Sequence, residues 1–478
     1  MGVTTKALER TQNRFALLGL IFFLAGAFFS KGFHHFDEHF QILEFARFKL
    51  FPMPTADLPW EFQAKMRSSL QPTLVVWVHS LLRAINIENP FWVTFILRCF
   101  TAILSWLTFR WMLSSFGREI PEKWMRLISL PLSFFFWLSI YNGVRFSSEN
   151  WGGIFFAMGL CMAIRPNPGF LSGVLAGTLL GISFLSRFQM GIMLAGLVLW
   201  LLVVRKQRPL QSLSLALGFS SLLLIGILLD HGFYGGWPIS FWNYFEQNLI
   251  HGKAAEFGVQ PWYQYFKSLF IYLIPPFSVF FILGLFAFFW LYPRHVLSFA
   301  LVPFLLVHML LGHKEARFLF PIVYFFPVIL GLSFAAASKR IRLATSTQWL
   351  WNLLLGSFWV VNGLLLAVVC SHPADKDTEL YAEIFKANPD ILLYTQDNPY
   401  LRAGLNLKYY QRPGLEVAAS SDFSEQPGTN KKILVVGLES AGLVPREKVV
   451  YQSVPKWIRR YNFNHWLDRT RIWVLFWQ

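Results

Sequence analysis

His313-Lys314-Glu315-Ala316-Arg317-Phe318 sits between two long apolar runs, 296–311 and 319–336. Lys, Glu and Arg are costly beside hydrocarbon unless they are paired or lie at its aqueous face. A tight charged cluster between two such runs therefore reads as a working turn at a membrane surface. The rest of the chain repeats the pattern. Of 478 residues, 55% are hydrophobic, 18% aromatic and 14% charged, against about 25% charged in ordinary soluble domains. A spanning helix needs about 20 mostly apolar residues. Runs of this kind are read at 15–31, 91–113, 127–142, 150–164, 170–186, 191–204, 211–229, 268–291, 296–311, 319–336 and 348–369. The expected fold class is a multi-span α-helical membrane protein with about 11 transmembrane helices. The first run follows Lys6, Arg10 and Arg14 and has no small-residue cleavage site, so it is read as a retained span.

Basic residues orient the spans. With the N-terminus inside, the inside loops hold Arg118, Lys123, Arg126, Arg165, Arg205, Lys206, Arg208, Arg294, Lys339, Arg340 and Arg342, while the short outside turns hold Arg145, Arg187, Lys314 and Arg317. The segment 73–87 contains His79 and Arg83 and is read as an interfacial or re-entrant helix. The large non-spanning pieces, 32–90, 230–267 and 370–478, then all face outside. Two domains are expected: residues 1–369, a membrane domain that includes interfacial helices of the first outside loop (32–90), and 370–478, a small extracytoplasmic α/β domain. Strand-like runs at Ile391–Thr395 and Ile433–Val436 mark the tail, with turns at Asn398-Pro399, Arg412-Pro413-Gly414 and Gln426-Pro427-Gly428.

Several function classes drop out. Cys99, Cys161 and Cys370 are too scattered for a disulfide framework, and no CxxC pair or tight Cys/His cluster signals structural zinc. The net charge of +16 fits cytoplasmic loops and lipid headgroups; no basic-aromatic motif supports nucleic acid.

Five constellations can carry chemistry, and each has a structural alternative. His34-His35-Phe36-Asp37-Glu38-His39-Phe40-Gln41 follows the first span. A carboxylate there is suited to deprotonating an attacking hydroxyl, and the histidines are potential metal ligands with Asp37. Alternatively, Asp37 caps a helix and Glu38 favours its dipole. The following stretch, with Phe40, Leu43, Phe48 and Leu50 between Glu44, Arg47 and Lys49, is read as amphipathic and interfacial. Trp60-Glu61-Phe62 with Arg67-Ser68 is suited to flanking a phosphate or sugar, or forms an aromatic belt with a snorkelling Arg. Arg145 is suited to neutralising a phosphate, with Glu149 as its ion-pair partner; Arg187-Phe188-Gln189 is a similar turn. Asp230, His231, Tyr234, Gly235, Gly236 and Trp237 resemble the lining of a carbohydrate groove, or a plain interfacial loop. Lys314 and Arg317 are cations suited to a phosphate leaving group, with His313 to orient or protonate it; a purely structural charged turn is the alternative.

These stretches carry a family resemblance. His35–Gln41 resembles the H-P-D-E-x-x-Q signature of glycosyltransferase family 22, the multi-span mannosyltransferases that build N-glycan precursors and glycosylphosphatidylinositol anchors. His313–Phe318 resembles that family's H-K-E-x-R-F motif. The blocks around Trp60 and Asp230 are similar to further family blocks, in family order over about 15–340. Phe36 stands where the family usually has Pro, and Arg145–Glu149 is a looser match.

The resemblance implies a GT-C architecture and an inverting transfer of mannose from a polyprenyl-phosphate donor to a glycolipid or lipid-linked glycan acceptor. Carried over, Asp37 becomes the general base and Glu38 a substrate or structural contact. His313, Lys314, Arg317 and Arg145 become donor-phosphate ligands. His35, Gln41, Trp60, Glu61, Arg67, Asp230, Tyr234 and Trp237 become substrate contacts. No cofactor or metal is expected, because cations replace a metal at a phosphate leaving group. The expected partners are the lipid-linked donor, the acceptor and membrane lipid, with no nucleic acid. The site is expected on the periplasmic or lumenal face, with a bacterial inner membrane favoured over endoplasmic reticulum. The rival readings are a transporter or flippase of lipid-linked sugars, which calls for polar residues at the midplane and repeated halves, and a GT-C transferase of another sugar.

Overall fold

A computed structural model describes residues 2–340, 348–387, 390–395, 397–402, 404–419, 431–438, 449–454, 458–462, 465–467 and 470–477. The chain divides into two compact units. One comprises Met1–Ser30, Ala64–Leu74 and Phe95–His372; the other comprises Lys31–Gln63, Val75–Thr94 and Pro373–Gln478.

The first unit is helical. Among the described residues, five helices are long and apolar enough to cross a membrane: Leu8–Phe29, Pro90–Phe116, Glu122–Gly143, Pro209–Tyr234 and Trp349–Val369. Shorter apolar helices run over Phe170–Ser186, Met190–Val203, Ser278–Leu291 and Val296–Leu310. The long helices expose large apolar side chains, such as Leu17 and Ile21, Leu224 and Leu228, and Val360 and Leu364. Apolar surface on this scale is stable against lipid, and helices satisfy their own backbone there. The chain is a multi-span helical membrane protein.

Two apolar runs differ from single straight spans. The run 268–291 is interrupted between helices Gln264–Tyr272 and Ser278–Leu291, where Pro275 and Pro276 supply no backbone N–H. The run 319–336 opens as a 3-10 helix, Ala316–Tyr324, then bends by 69° into Phe326–Arg340. Pro327 sits in the first turn of the second piece, the position where proline is tolerated.

Small residues line a close helix contact. Phe170–Ser186 and Pro209–Tyr234 meet through Gly177 and Gly218. A Cβ on Gly177 would overlap the Leu215 carbonyl oxygen, and one on Gly218 the Val174 carbonyl oxygen. This is the small-residue packing that lets membrane helices approach.

The second unit joins segments 31–63 and 75–94 to the tail. Its loop part is one helical stretch in three geometries: α over Phe36–His39, a π turn over Phe40–Glu44, and α over Phe45–Leu50. Lys49 is exposed, but Glu44 and Arg47 are buried, so the stretch departs from a simple amphipathic helix. The tail contributes helix Asp377–Lys386 and a five-stranded sheet ordered Glu416–Ala419, Ile391–Thr395, Lys432–Leu438, Trp473–Trp477, Val449–Gln452. The first three strands are parallel, with Leu393 opposite Val417 and Leu434; the last two join antiparallel. Tyr394, Ile433, Val435, Val474 and Phe476 form the core of the sheet. Asn398 starts a turn by accepting the Tyr400 N–H at 2.9 Å. Gly414 takes φ +80 after Pro413, as a turn glycine does. Gln426-Pro427-Gly428 lies outside the described residues.

Candidate functional site

In the first unit the charged turn folds back on buried charges. Arg317 donates from Nε to Glu315 Oε2 at 2.7 Å and from Nη2 to Glu315 Oε1 at 2.8 Å. Its Nη1 donates to Glu149 Oε1 at 2.9 Å. The same oxygen lies 3.0 Å from Arg187 Nη1. Arg187 and Arg317 are 5% and 6% exposed and Glu149 3%, so two guanidiniums share one buried carboxylate. Both also lie over the Phe318 ring, at 4.9 and 5.2 Å.

Helix Ser148–Ala163 supplies Glu149 in its first turn, and Ser147 caps it by accepting the Asn150 N–H. Because Arg317 is also held by Glu315, two guanidiniums are matched by two carboxylates and both cations are fixed in position. Glu149, read from the sequence as a partner for Arg145, thus holds Arg187 and Arg317. Arg187 was legible only as one more outside turn. The signal that it belongs with Arg317 is spatial.

The neighbouring groups are held in place. His313 Nε2 lies 3.0 Å from Glu315 Oε1, and its Nδ1 lies 3.0 Å from the Gly258 carbonyl. Lys314 is buried and donates to the carbonyls of Gln260 and Leu311; desolvation lowers its pKa below the ordinary lysine value. Arg145 is buried and donates from Nη1 to Ser30 O and Oγ at 2.8 and 2.9 Å.

Asp230 is buried, and its Oδ1 accepts both the Ser69 N–H and the Ser69 hydroxyl at 2.7 Å. Tyr234 donates its hydroxyl to the Arg67 carbonyl at 2.7 Å, and the Arg67 guanidinium lies 5.3 Å from the centre of the Tyr244 ring. Trp237 is 65% exposed and stacks on His231 at 4.0 Å. The structure therefore joins Asp230, Tyr234 and Arg67 through the 64–74 segment.

In the second unit Asp37 is half-buried in the first turn after His35, and Glu38 is buried. Glu38 Oε2 accepts the His34 N–H at 3.3 Å. Gln41 is buried and donates from Nε2 to Glu61 Oε1 at 3.1 Å, which brings together two residues 20 apart in sequence. Trp60 opens the short helix Trp60–Gln63. The π turn that follows Asp37 places Gln41 and Glu44 among its buried residues, a geometry often found at functional sites. His39 donates from Nε2 to Glu44 Oε1 at 2.6 Å, with both side chains wholly buried. Among the described residues, no group of three or more His, Cys, Asp or Glu is arranged to hold a metal ion.

The sequence matches the family model described as the Alg9-like mannosyltransferase family over residues 15–391. The chain belongs to that family. Among curated relatives, GPI alpha-1,2-mannosyltransferase 3 of Bos taurus is 24% identical over 335 residues, covering 67% of this chain and 59% of that protein. Mannosyltransferase APTG1 of Arabidopsis thaliana is 24% identical over 352 residues, covering 68% and 59%. The chain thus spans about three-fifths of the length of these relatives. Among solved structures, apo ArnT from Cupriavidus metallidurans aligns over 98% of each chain with a TM-score of 0.52 at 12% identity, a likeness of fold.

Proposed function

We propose that this member of the Alg9-like family is an inverting membrane mannosyltransferase. The donor is a mannosyl polyprenyl phosphate, and the acceptor is a glycolipid or lipid-linked glycan on the extracytoplasmic or lumenal face. The Asp37 carboxylate takes the proton of the acceptor hydroxyl. The acceptor oxygen attacks C1 of mannose from the face opposite the phosphate, the C1–O bond to phosphate breaks, and the bond pair leaves with polyprenyl phosphate. Arg317, Arg187, Lys314 and Arg145 meet the developing phosphate charge, which is where preorganised cations lower a barrier most. His35, Gln41, Trp60, Glu61, Arg67, Asp230, Tyr234 and Trp237 bind or frame the sugars, and His313 sets the charged turn. Eleven spans with the N-terminus inside, a bacterial inner membrane and a tail acting as a small α/β domain complete the proposal.

The observation that carries this reading is the buried cluster in which Arg317 of the family's charged motif and Arg187 meet on Glu149, with Glu315 holding Arg317. The relatives GPI alpha-1,2-mannosyltransferase 3 and APTG1, both named as mannosyltransferases, support the sugar. The test is transfer from radiolabelled polyprenyl-phosphate mannose to a membrane glycolipid extract, with wild type beside Asp37→Asn. Transfer by wild type and its loss in folded Asp37→Asn is expected. Transfer by both rejects Asp37 as base, and transfer by neither counts against this donor–acceptor pair and reopens the rival flippase reading.

A further inference from the structure

Asp37 lies only one residue into its helix, and His35 at the N-cap makes no capping side-chain bond. The tail holds the approach to that helix at three points. The N–H groups of Ala374 and Asp375 donate to the Lys31 carbonyl at 2.8 and 3.1 Å. Gly32 takes φ +81, and a Cβ there would come within 2.8 Å of Asp375 Cβ; a left-handed, crowded position of this kind admits only glycine. The Arg402 guanidinium lies over the rings of Phe33 and Phe36, at 5.4 and 5.7 Å.

Arg402 is itself held. Its Nη1 donates to Asp375 Oδ1 at 2.8 Å and lies 3.6 Å from Asp377 Oδ2. Asp375 is fixed in turn by the Thr378 hydroxyl at 3.1 Å. Phe33 packs on His39 at 5.2 Å and Phe36 on Phe40 at 5.9 Å. One cation therefore rests on two rings that flank the turn into Asp37, and those rings rest on the residues just after it.

We infer that Arg402 is a positioning residue for Asp37: anchored by Asp375, it clamps Phe33 and Phe36 and so sets where the Asp37 carboxylate points. The inference rests on the assignment of Asp37 as base. It gives the tail a catalytic purpose beyond folding, because its effect on rate runs through the aromatic pair. The planar guanidinium matters as well as the charge, since stacking on an aromatic face is something lysine does poorly.

The experiment uses the full-length protein in detergent and has two readouts. Hydrogen exchange is followed in peptides covering 31–44, with turnover of polyprenyl-phosphate mannose measured in parallel. Arg402→Ala is expected to lose protection in 31–44 while sheet peptides around 391–395 and 432–438 keep theirs. Its kcat should fall roughly tenfold, as small misplacements of a catalytic group do, with donor KM within about twofold. Arg402→Lys keeps the pair with Asp375 and should recover only part of kcat. Should Arg402→Ala not fold, Arg402→Lys decides alone: wild-type kcat and wild-type exchange in 31–44 overturn the clamp. Unchanged exchange in folded Arg402→Ala also overturns it, as does a loss spread evenly over the whole unit. Lost protection in 31–44 with no transfer even by wild type supports the clamp and defeats the proposed reaction instead.

Discussion

Removing the charge of Glu149 isolates the core of the proposed phosphate site. Its Oε1 lies 2.9 Å from Arg317 Nη1 and 3.0 Å from Arg187 Nη1, with all three side chains buried. Unit charges about 4 Å apart attract by roughly 4 kcal/mol at an effective dielectric near 20, and Glu149 makes two such pairs. Part of that attraction offsets the cost of desolvating Glu149 itself. Breaking a buried pair by removing one partner therefore costs about 3–5 kcal/mol. Glu149→Gln keeps the volume and one acceptor, so its loss should fall at the lower end.

A scan of the detergent-solubilised protein should show the midpoint roughly 5–10 °C below wild type, using about 2–4 °C per kcal/mol. The same substitution leaves one carboxylate, Glu315 on Arg317, facing the two guanidiniums, so an anion beside Arg187 should restore the balance. Polyprenyl monophosphate should raise the midpoint of Glu149→Gln more than that of wild type, because a ligand stabilises in proportion to its affinity for the folded form. Two results would refute the reasoning. One is a midpoint within about 2 °C of wild type, well short of the shift expected for a buried pair. The other is equal stabilisation of both proteins by the lipid phosphate.

Two further outcomes follow from packing and from protonation. Gly177→Ala drives a methyl group into the Leu215 carbonyl across the helix contact, so it should cost about 1–3 kcal/mol by overpacking, whereas Gly356→Ala, which meets nothing within 4 Å, should leave the midpoint unchanged. His79 is buried in the second unit against the edge of Phe51; burial, then Arg83 and Arg47, lower its pKa below 6.5. A proton therefore binds the unfolded chain more tightly, so the stability His79 contributes is present above pH 6.5 and lost as pH falls through the lowered value. His79→Phe should flatten that acid limb in thermal scans taken between about pH 7 and pH 5, and an unchanged limb would count against it.

The apolar helices were legible because lipid imposes length and apolarity on a crossing helix; of the eleven runs read as spans, five described helices are long and apolar enough to cross. The interruption at 273–277 could also be foreseen from Pro275 and Pro276. The charged motif was legible as a cluster, but not its wiring: Glu149 and Arg317 are 168 residues apart, and no local pattern links them. The first loop misled for a related reason. Glu44 and Arg47 alternate with apolar residues as on a surface helix, yet they are buried because Glu44 finds His39 within its own helix and the Tyr409 N–H from the tail at 2.9 Å. Central strands Ile391–Thr395 and Lys432–Leu438 announced themselves as unbroken apolar runs. Strand Glu416–Ala419, short and half-exposed, and strand Val449–Gln452 carry no such signal, and aromatic Trp473–Trp477 was overlooked.

The bond between Glu44 and Tyr409 spans 365 residues, so it also sets an order of events at the ribosome. At ~5–20 residues per second, the tail emerges about 20–70 s after the loop it completes. The first motif to be synthesised is among the last to be finished. For all that time a nascent chain carries Asp37 without the tail contacts proposed to position it. Truncation anywhere before residue 410 should leave the membrane helices inserted but abolish the proposed mannosyl transfer.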